Sequence, residues 1–166
     1  MKVNGVLLDT SFFIRFLNDD DPLFENALEY YKYFLREEIK MYISTISVAE
    51  YCVGGSITEL PLRNLAILPF NLNHSVKTGE IASVVFTKKG KLKLKERNLI
   101  PNDSKLFSQA DVENTISFYL SSDSESNKIY KLLEDENHKL KFKFIDLKIE
   151  YELIRILFLT ICTFYF

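Results

Sequence analysis

VNGVLLDTS, at residues 3–11, is the stretch that decides the fold of this 166-residue chain. The run from Val6 to Leu8 is continuously apolar, which is typical of a strand buried on both faces of a parallel sheet. Asp9 follows where this strand ends, and Thr10 and Ser11 are predicted to cap a helix that begins at Phe12. A carboxylate at the carboxyl end of a central strand faces the crevice in which open α/β sheets bind ligands.

The composition predicts one globular domain without strong overall attraction to nucleic acid or membrane. The formal net charge is −2 and 47% of the residues are hydrophobic, so a nucleic-acid partner would need a local basic patch. Cys52 and Cys162 have the spacing of neither a metal site nor a disulfide framework, and we expect reduced thiols in a cytoplasmic protein. Asp9 and Arg15 interrupt the first apolar stretch, which argues against a signal peptide.

Apolar runs alternate with helical patterns along the rest of the chain. Strands are predicted over 41–46, 65–70, 116–120 and 142–147, the third of these five strands near a sheet edge because Pro69 interrupts it. Helix starts are predicted at Asp21-Pro22 and at Asn73. The alternation predicts an α/β fold, a three-layer α/β/α sandwich around a mostly parallel sheet of about five strands.

Four acidic residues fall where strands end or helices begin, namely Asp9, Glu50, Asp103 and Asp123. Each has an ordinary structural explanation. Glu50 would complete a capping box with Ser47, and the helix dipole would favour a carboxylate such as Asp103 at the start of a helix over 104–114. In a right-handed parallel sheet, however, all four converge at one edge of the crevice. We therefore expect a shared acidic site.

Two further stretches stand out by charge and by hydropathy. The densest positive charge lies between residues 88 and 97, in Lys88, Lys89, Lys91, Lys93, Lys95 and Arg97. This run is either a solvated surface or the part of the chain that contacts phosphates, and the sequence favours neither. The tail over 156–166 is uncharged and too short to span a bilayer, so we expect it to pack on the core or on a second copy.

The order and spacing of four short segments resemble the PIN-domain nucleases, which include the VapC-type ribonuclease toxins. The segments are Leu8-Asp9-Thr10-Ser11, Ser44-Thr45-Ile46-Ser47-Val48-Ala49-Glu50, Asn102-Asp103-Ser104-Lys105 and Leu120-Ser121-Ser122-Asp123. The resemblance implies a PIN-like nuclease domain over 1–148 and a hydrophobic extension over 149–166. It also implies RNA as substrate, with an antitoxin protein and a second copy of the chain as partners.

Carried over to this chain, the resemblance makes Asp9, Glu50, Asp103 and Asp123 the catalytic cluster that holds Mg²⁺ or Mn²⁺. Ser11 and Ser121 would support it with their hydroxyls. Oxygen ligands without histidine or cysteine suit these hard cations, which activate water for attack on a phosphodiester.

Two alternatives remain open from the sequence. A haloacid-dehalogenase-type phosphatase also places an aspartate after its first strand, but needs a second aspartate where this chain has Ser11. A catalytically silent PIN-like binding module would share the fold and act through its surface.

Overall fold

The computed structural model describes residues 5–88 and 99–154 and contains a five-stranded, fully parallel sheet. The strands are β1 (Gly5–Leu8), β2 (Lys40–Ser44), β3 (Leu65–Leu68), β4 (Phe118–Ser121) and β5 (Lys143–Asp146). Their order across the sheet is β3-β2-β1-β4-β5. The predicted fold class is confirmed, and β3 lies at an edge and ends just before Pro69.

Helices connect these strands and cover both faces of the sheet. They are α1 (Thr10–Phe16), α2 (Phe24–Arg36), α3 (Thr45–Tyr51), α4 (Leu72–Lys88), α5 (Leu99–Val112) and α6 (Ser124–Asp135). Within residues 5–88 and 99–154, the structure has no helix with the length and apolar character needed to cross a membrane.

Alternating strand residues build two apolar layers, one on each face. On one face, Val6 and Leu8 of β1 pack with buried side chains of α1 and α2, such as Phe12 and Phe34. On the other face, Leu7 joins buried residues of α4, α5 and α6. All three central residues of β1 are fully buried, as a strand covered on both faces requires.

The starts of α4 and α2 are among those that differ from the prediction. Asn71, rather than Asn73, accepts the hydrogen bond from the His74 backbone at the start of α4, at 3.1 Å. Helix α2 begins at Phe24 instead of at Pro22, because Asp21 accepts from the Leu23 backbone and also pairs with Arg15. These competing partners place Asp21 in the turn before the helix.

The strand order reverses next to β1. The chain runs outward from β1 through β2 to β3, and then returns to place β4 on the opposite side of β1. Connections leave in opposite directions at this point, so a crevice opens beyond the carboxyl ends of β1 and β4. Asp9 lies directly at this opening, with its backbone N–H bonded to the Leu120 carbonyl at 3.0 Å.

Candidate active site

A cleft of about 390 Å³ opens at this switch point, and all four predicted acids line it. Its walls also include Thr10, Ser11 and Asn102. The cleft therefore brings together Asp9, Glu50, Asp103 and Asp123, which come from four different connections of the sheet.

Asp9 is buried and held by hydroxyl groups. Its Oδ2 accepts from the Ser11 hydroxyl at 2.6 Å and from the Ser121 hydroxyl at 2.8 Å. The same oxygen accepts from the Ser11 backbone N–H, which makes Asp9 the N-cap of α1. The prediction of Thr10 and Ser11 as caps was wrong, because the carboxylate reaches the first free N–H groups and the helix starts at Thr10.

The two serines also connect the ends of β1 and β4. Ser11 Oγ accepts from the Ser122 backbone at 3.0 Å, and Ser121 Oγ accepts from the Asp123 backbone at 3.0 Å. Asp123 in turn caps α6 by accepting from the Glu125 backbone at 2.8 Å. Each hydroxyl thus donates to Asp9 and accepts from the loop after β4, so the carboxylates of Asp9 and Asp123 share one rigid support.

Glu50 lies in the last turn of α3, where it caps nothing. The predicted capping box with Ser47 is wrong, because Ser44 caps α3 and Ser47 is buried inside the helix. Glu50 instead accepts from the Thr10 hydroxyl at 2.5 Å and from the Asn102 amide at 2.7 Å. These two contacts aim its carboxylate into the cleft and leave it without a role in helix capping.

Asp103 lies in the interior of α5 and not at a helix start, because α5 begins at Leu99. The helix dipole therefore does not explain its presence. Its side chain is 6% exposed, and its Oδ1 accepts from the Ser126 hydroxyl. Among the described residues, its buried Oδ2 has no hydrogen-bond partner. A buried acceptor without a partner is costly unless a ligand satisfies it.

The environment of Asp103 favours its protonated form. Burial raises the pKa of Asp103 well above its ordinary value, although the Ser126 hydrogen bond acts in the opposite direction. The nearby charges of Asp9, Asp123 and Glu50 raise this pKa further. The other three carboxylates are thus close enough to Asp103 to disfavour its charged form.

Tyr119 lies beneath the acidic cluster in β4. It is fully buried, and burial raises the pKa of its hydroxyl far above the ordinary value, with the charges of Asp9 and Asp103 contributing next. The sequence analysis did not identify Tyr119, Thr10, Asn102 or Ser126 as parts of the site. Thr10 and Asn102 carried a signal, since each stands next to one of the predicted acids, whereas Tyr119 and Ser126 carried none.

The residues present fit a hard divalent cation. The donors are oxygens, and Asp103 offers a buried oxygen without a partner among the described residues. Within the part of the chain that the structure describes, no three His, Cys, Asp or Glu side chains are arranged to hold a metal together.

The predicted basic surface lies mostly outside the described residues. Of its six members, Lys89, Lys91, Lys93, Lys95 and Arg97 fall within the stretch 89–98, which the structure does not describe. Lys88 ends α4 and pairs with Glu136 at 3.0 Å. The cleft walls do not include Lys88.

Comparison with protein families gives a match to the PIN domain over residues 6–132, which is most of the chain. No curated protein matches it.

Solved structures with a similar fold include VapBC2 from Rickettsia felis bound to a promoter DNA fragment. That chain is 21% identical, with a TM-score of 0.57 and coverage of 85% of this chain and 97% of that one. VapBC-1 from nontypeable Haemophilus influenzae is 15% identical, with a TM-score of 0.55 and coverage of 87% and 98%. DNA-bound VapBC from Salmonella typhimurium is 16% identical, with a TM-score of 0.51 and coverage of 86% and 98%.

Proposed function

Because this chain belongs to the PIN domain family, whose members are nucleases, we propose that it is a Mg²⁺- or Mn²⁺-dependent endoribonuclease. The observation that carries the proposal is the meeting of four acids in one cleft, with a partnerless oxygen on Asp103. Such a cluster is unfavourable in an empty site and becomes favourable around a cation.

The side chains of the site have two different roles, to hold the ion and to orient the carboxylates. Asp9, Glu50, Asp103 and Asp123 would hold the ion, directly or through its waters. Ser11 and Ser121 fix Asp9, and Thr10 and Asn102 fix Glu50. The bound cation supplies an activated water and stabilises the charge that develops on the leaving oxygen of the phosphodiester.

Neither His74 nor His138, which both belong to the described residues, lines the cleft. His74 is buried in α4, where its Nε2 pairs with Glu113 at 2.9 Å. We therefore assign no general base from a histidine. The carboxylates and the ion would supply the chemistry.

Cleavage of single-stranded RNA by the purified chain tests this proposal. We expect cleavage with Mn²⁺ that stops on addition of chelator, and loss of cleavage in Asp9→Asn. Asp19→Asn is the matched control, because Asp19 is exposed in a turn outside the cleft. Cleavage that persists in chelator or in Asp9→Asn would contradict the assignment, and an inactive wild type would favour the silent binding module.

The alternative of a haloacid-dehalogenase-type phosphatase has no support in this geometry. Ser11 stands where that chemistry needs a second aspartate, and its hydroxyl donates to Asp9. An acid that protonates a leaving group is therefore missing from that position.

The lysine-rich run is proposed as the RNA backbone contact. If it binds phosphates, neutralising Lys89, Lys91 and Lys93 together should weaken binding to all sequences alike and reduce its salt dependence. Unchanged affinity and salt slope would contradict this role.

An antitoxin partner is also proposed, on the strength of the VapBC structures with a similar fold. A homodimer is proposed from the sequence resemblance to the PIN-domain nucleases. Inhibition of cleavage by the protein product of an adjacent gene would support the antitoxin proposal. Failure of that product to inhibit cleavage would contradict it.

The extension over 149–166 is proposed to pack on the domain or across the dimer. Its part over 155–166 lies outside the described residues. A chain shortened after Ile154 that remains a dimer of equal stability would contradict this.

A further inference from the structure

A second cavity, of about 480 Å³, opens beside the acidic cleft. The two share Ile14, Glu50 and Val53 as walls. Whatever fills the second cavity therefore lies directly beside a group bound in the first. Its volume is within the range of small-molecule sites.

An immobilised aromatic ring forms one wall of this second cavity. The Tyr51 hydroxyl donates to Glu59 Oε2 at 2.7 Å, and the same oxygen accepts from the Ser56 backbone at 3.1 Å. Gly55 packs against the ring, since a Cβ at this position would lie 2.5 Å from Tyr51 Cε1. The glycine thus permits a close contact that fixes the ring in place.

Exposed aliphatic side chains form the opposite part of the surface. Val53 is 89% exposed, Ile14 49% and Leu17 37%, and all three line the cavity. Scattered apolar residues on a surface need no explanation, whereas an apolar group in a concave site next to an acidic cleft indicates a binding role.

We propose that this cavity holds an unpaired nucleobase of the RNA strand whose phosphate lies in the acidic cleft. The inference rests on the proposed ribonuclease function. Three observations favour this occupant: continuity with the cleft, a volume large enough to admit a base, and a fixed aromatic ring together with aliphatic side chains in the cavity wall. Proteins recognise single-stranded RNA by stacking splayed-out bases on aromatic side chains, and a base within a duplex is not free to enter.

Gly54 provides a direct test, because it lines the second cavity and a Cβ added there has open space. A Cβ at Gly54 meets no atom within 4 Å, and its backbone does not have a positive φ. Gly54→Leu should therefore fold and occupy the space of the base. Gly79→Leu is the matched control, since Gly79 is equally unobstructed and lies on α4, outside both cavities.

The measurement is the affinity for a labelled single-stranded RNA of mixed sequence in Mn²⁺, with all variants compared in an Asp9→Asn background so that the strand stays intact. We expect Gly54→Leu to weaken binding by roughly five- to 150-fold, the effect of losing one stacked base, while Gly79→Leu binds like the wild type. Val53→Ser should weaken it less, and a duplex of equal length should bind less tightly than the single strand.

Equal RNA affinity of Gly54→Leu and wild type would overturn the proposal. A protein segment would then remain as the occupant of this cavity. The proposed function is judged separately, by Mn²⁺-dependent cleavage and by the metal-induced rise of the unfolding midpoint. Both are measured on the wild type, so RNA affinity unchanged by Gly54→Leu counts against the base site alone, and a wild type without these two responses counts against the metal site alone.

Discussion

At the level of single residues, the hydrogen bonds to Glu50 are the feature that most sharply separates a functional carboxylate from a structural one. Thr10 and Asn102 each bind one oxygen of Glu50, at 2.5 and 2.7 Å. The Lys105 ammonium group donates to the Asn102 Oδ1 at 3.3 Å. These contacts orient the carboxylate toward the cleft, so their loss should affect metal binding more than stability.

Asn102→Ala is therefore expected to weaken Mn²⁺ affinity about tenfold or more, the usual effect of removing a group that orients a metal ligand. Titration of the unfolding midpoint with Mn²⁺ measures this. Asn127→Ala is the control, because the Asn127 amide donates to Asp146 at 3.1 Å, away from the cleft. If Asn102→Ala responds to Mn²⁺ as Asn127→Ala does, Asn102 does not position Glu50 for the ion.

The raised pKa of Asp103 predicts an unusual pH dependence in the metal-free protein. Burial, followed by the charges of Asp9, Asp123 and Glu50, raises the pKa of this carboxyl above its ordinary value of 3.8. The native state then binds a proton more readily than the unfolded state, so this group makes the protein less stable as pH rises from about 4 through the raised value.

Urea unfolding in chelator at several pH values checks this expectation. Asp103→Asn should remove the decline in stability toward neutral pH, because it cannot ionise. Asp19→Asn, an exposed change, should keep the wild-type slope. A wild type whose stability does not fall over this range, relative to Asp103→Asn, would contradict the pKa assignment.

Sequence reasoning placed the four acids at one edge of the sheet and named Ser11 and Ser121 as supporting hydroxyls, which donate to Asp9, but it missed the partners of Glu50 and Asp103. Asp9 and Asp123 follow strands, and the sheet topology fixes where such residues meet. The contacts of Thr10 with Glu50 and of Ser126 with Asp103 join residues far apart in the chain. Nothing in local sequence distinguishes such hydroxyls from any other, so only the packed structure reveals them.

At the level of elements, the type and order of helices and strands followed from hydrophobic periodicity, while helix starts did not. Ser44 caps α3 in place of Ser47, and Asp9 caps α1 in place of the two hydroxyls that follow it. Several polar residues stand near each start and are almost equivalent as caps. Tertiary packing selects among them. The two most informative corrections, at Glu50 and Asp103, arose from this ambiguity.

Helix α2 binds the segment that follows β5. The Asn26 amide donates to the carbonyls of Leu147 and Ile149 at 2.6 and 2.8 Å, and its Oδ1 accepts from the Tyr151 backbone at 2.8 Å. The Tyr151 ring packs against Tyr30, with ring centroids 5.6 Å apart. The start of the extension is thus attached to the domain by one asparagine and an aromatic contact.

Asn26→Ala should lower the free energy of unfolding by about 1–3 kcal/mol, because it removes the side-chain partner of the Leu147 carbonyl and of the Tyr151 backbone N–H. Chemical denaturation measures the change. Asn73→Ala, at an exposed site in α4, should stay within about 0.5 kcal/mol of wild type. An Asn26→Ala variant as stable as Asn73→Ala would show that this attachment contributes nothing.

At the level of the whole molecule, the strand order explains why four scattered acids share a site. Because β4 returns to the far side of β1, the loops that carry Asp9 and Asp123 are neighbours. The sequence predicted a parallel sheet, and from it the common edge. The sequence did not predict the depth of the cleft, the burial of Asp103 or the second cavity, because these depend on how α3 and α5 pack.

The central claim is that the acidic cluster binds a divalent cation. Its empty form carries carboxylates that repel, and a cation reverses the sign of that interaction. Ion binding to the native state alone stabilises it by about 2.7 kcal/mol at a free concentration about a hundred times the dissociation constant.

The most direct measurement is thermal unfolding of wild type and Asp103→Asn, each in chelator and in Mn²⁺. The account predicts that Mn²⁺ raises the wild-type midpoint, that Asp103→Asn is at least as stable as wild type in chelator, and that it loses most of the response to Mn²⁺. A wild-type unfolding midpoint that Mn²⁺ does not change, or an Asp103→Asn midpoint that rises with Mn²⁺ as much as that of the wild type, would contradict the account.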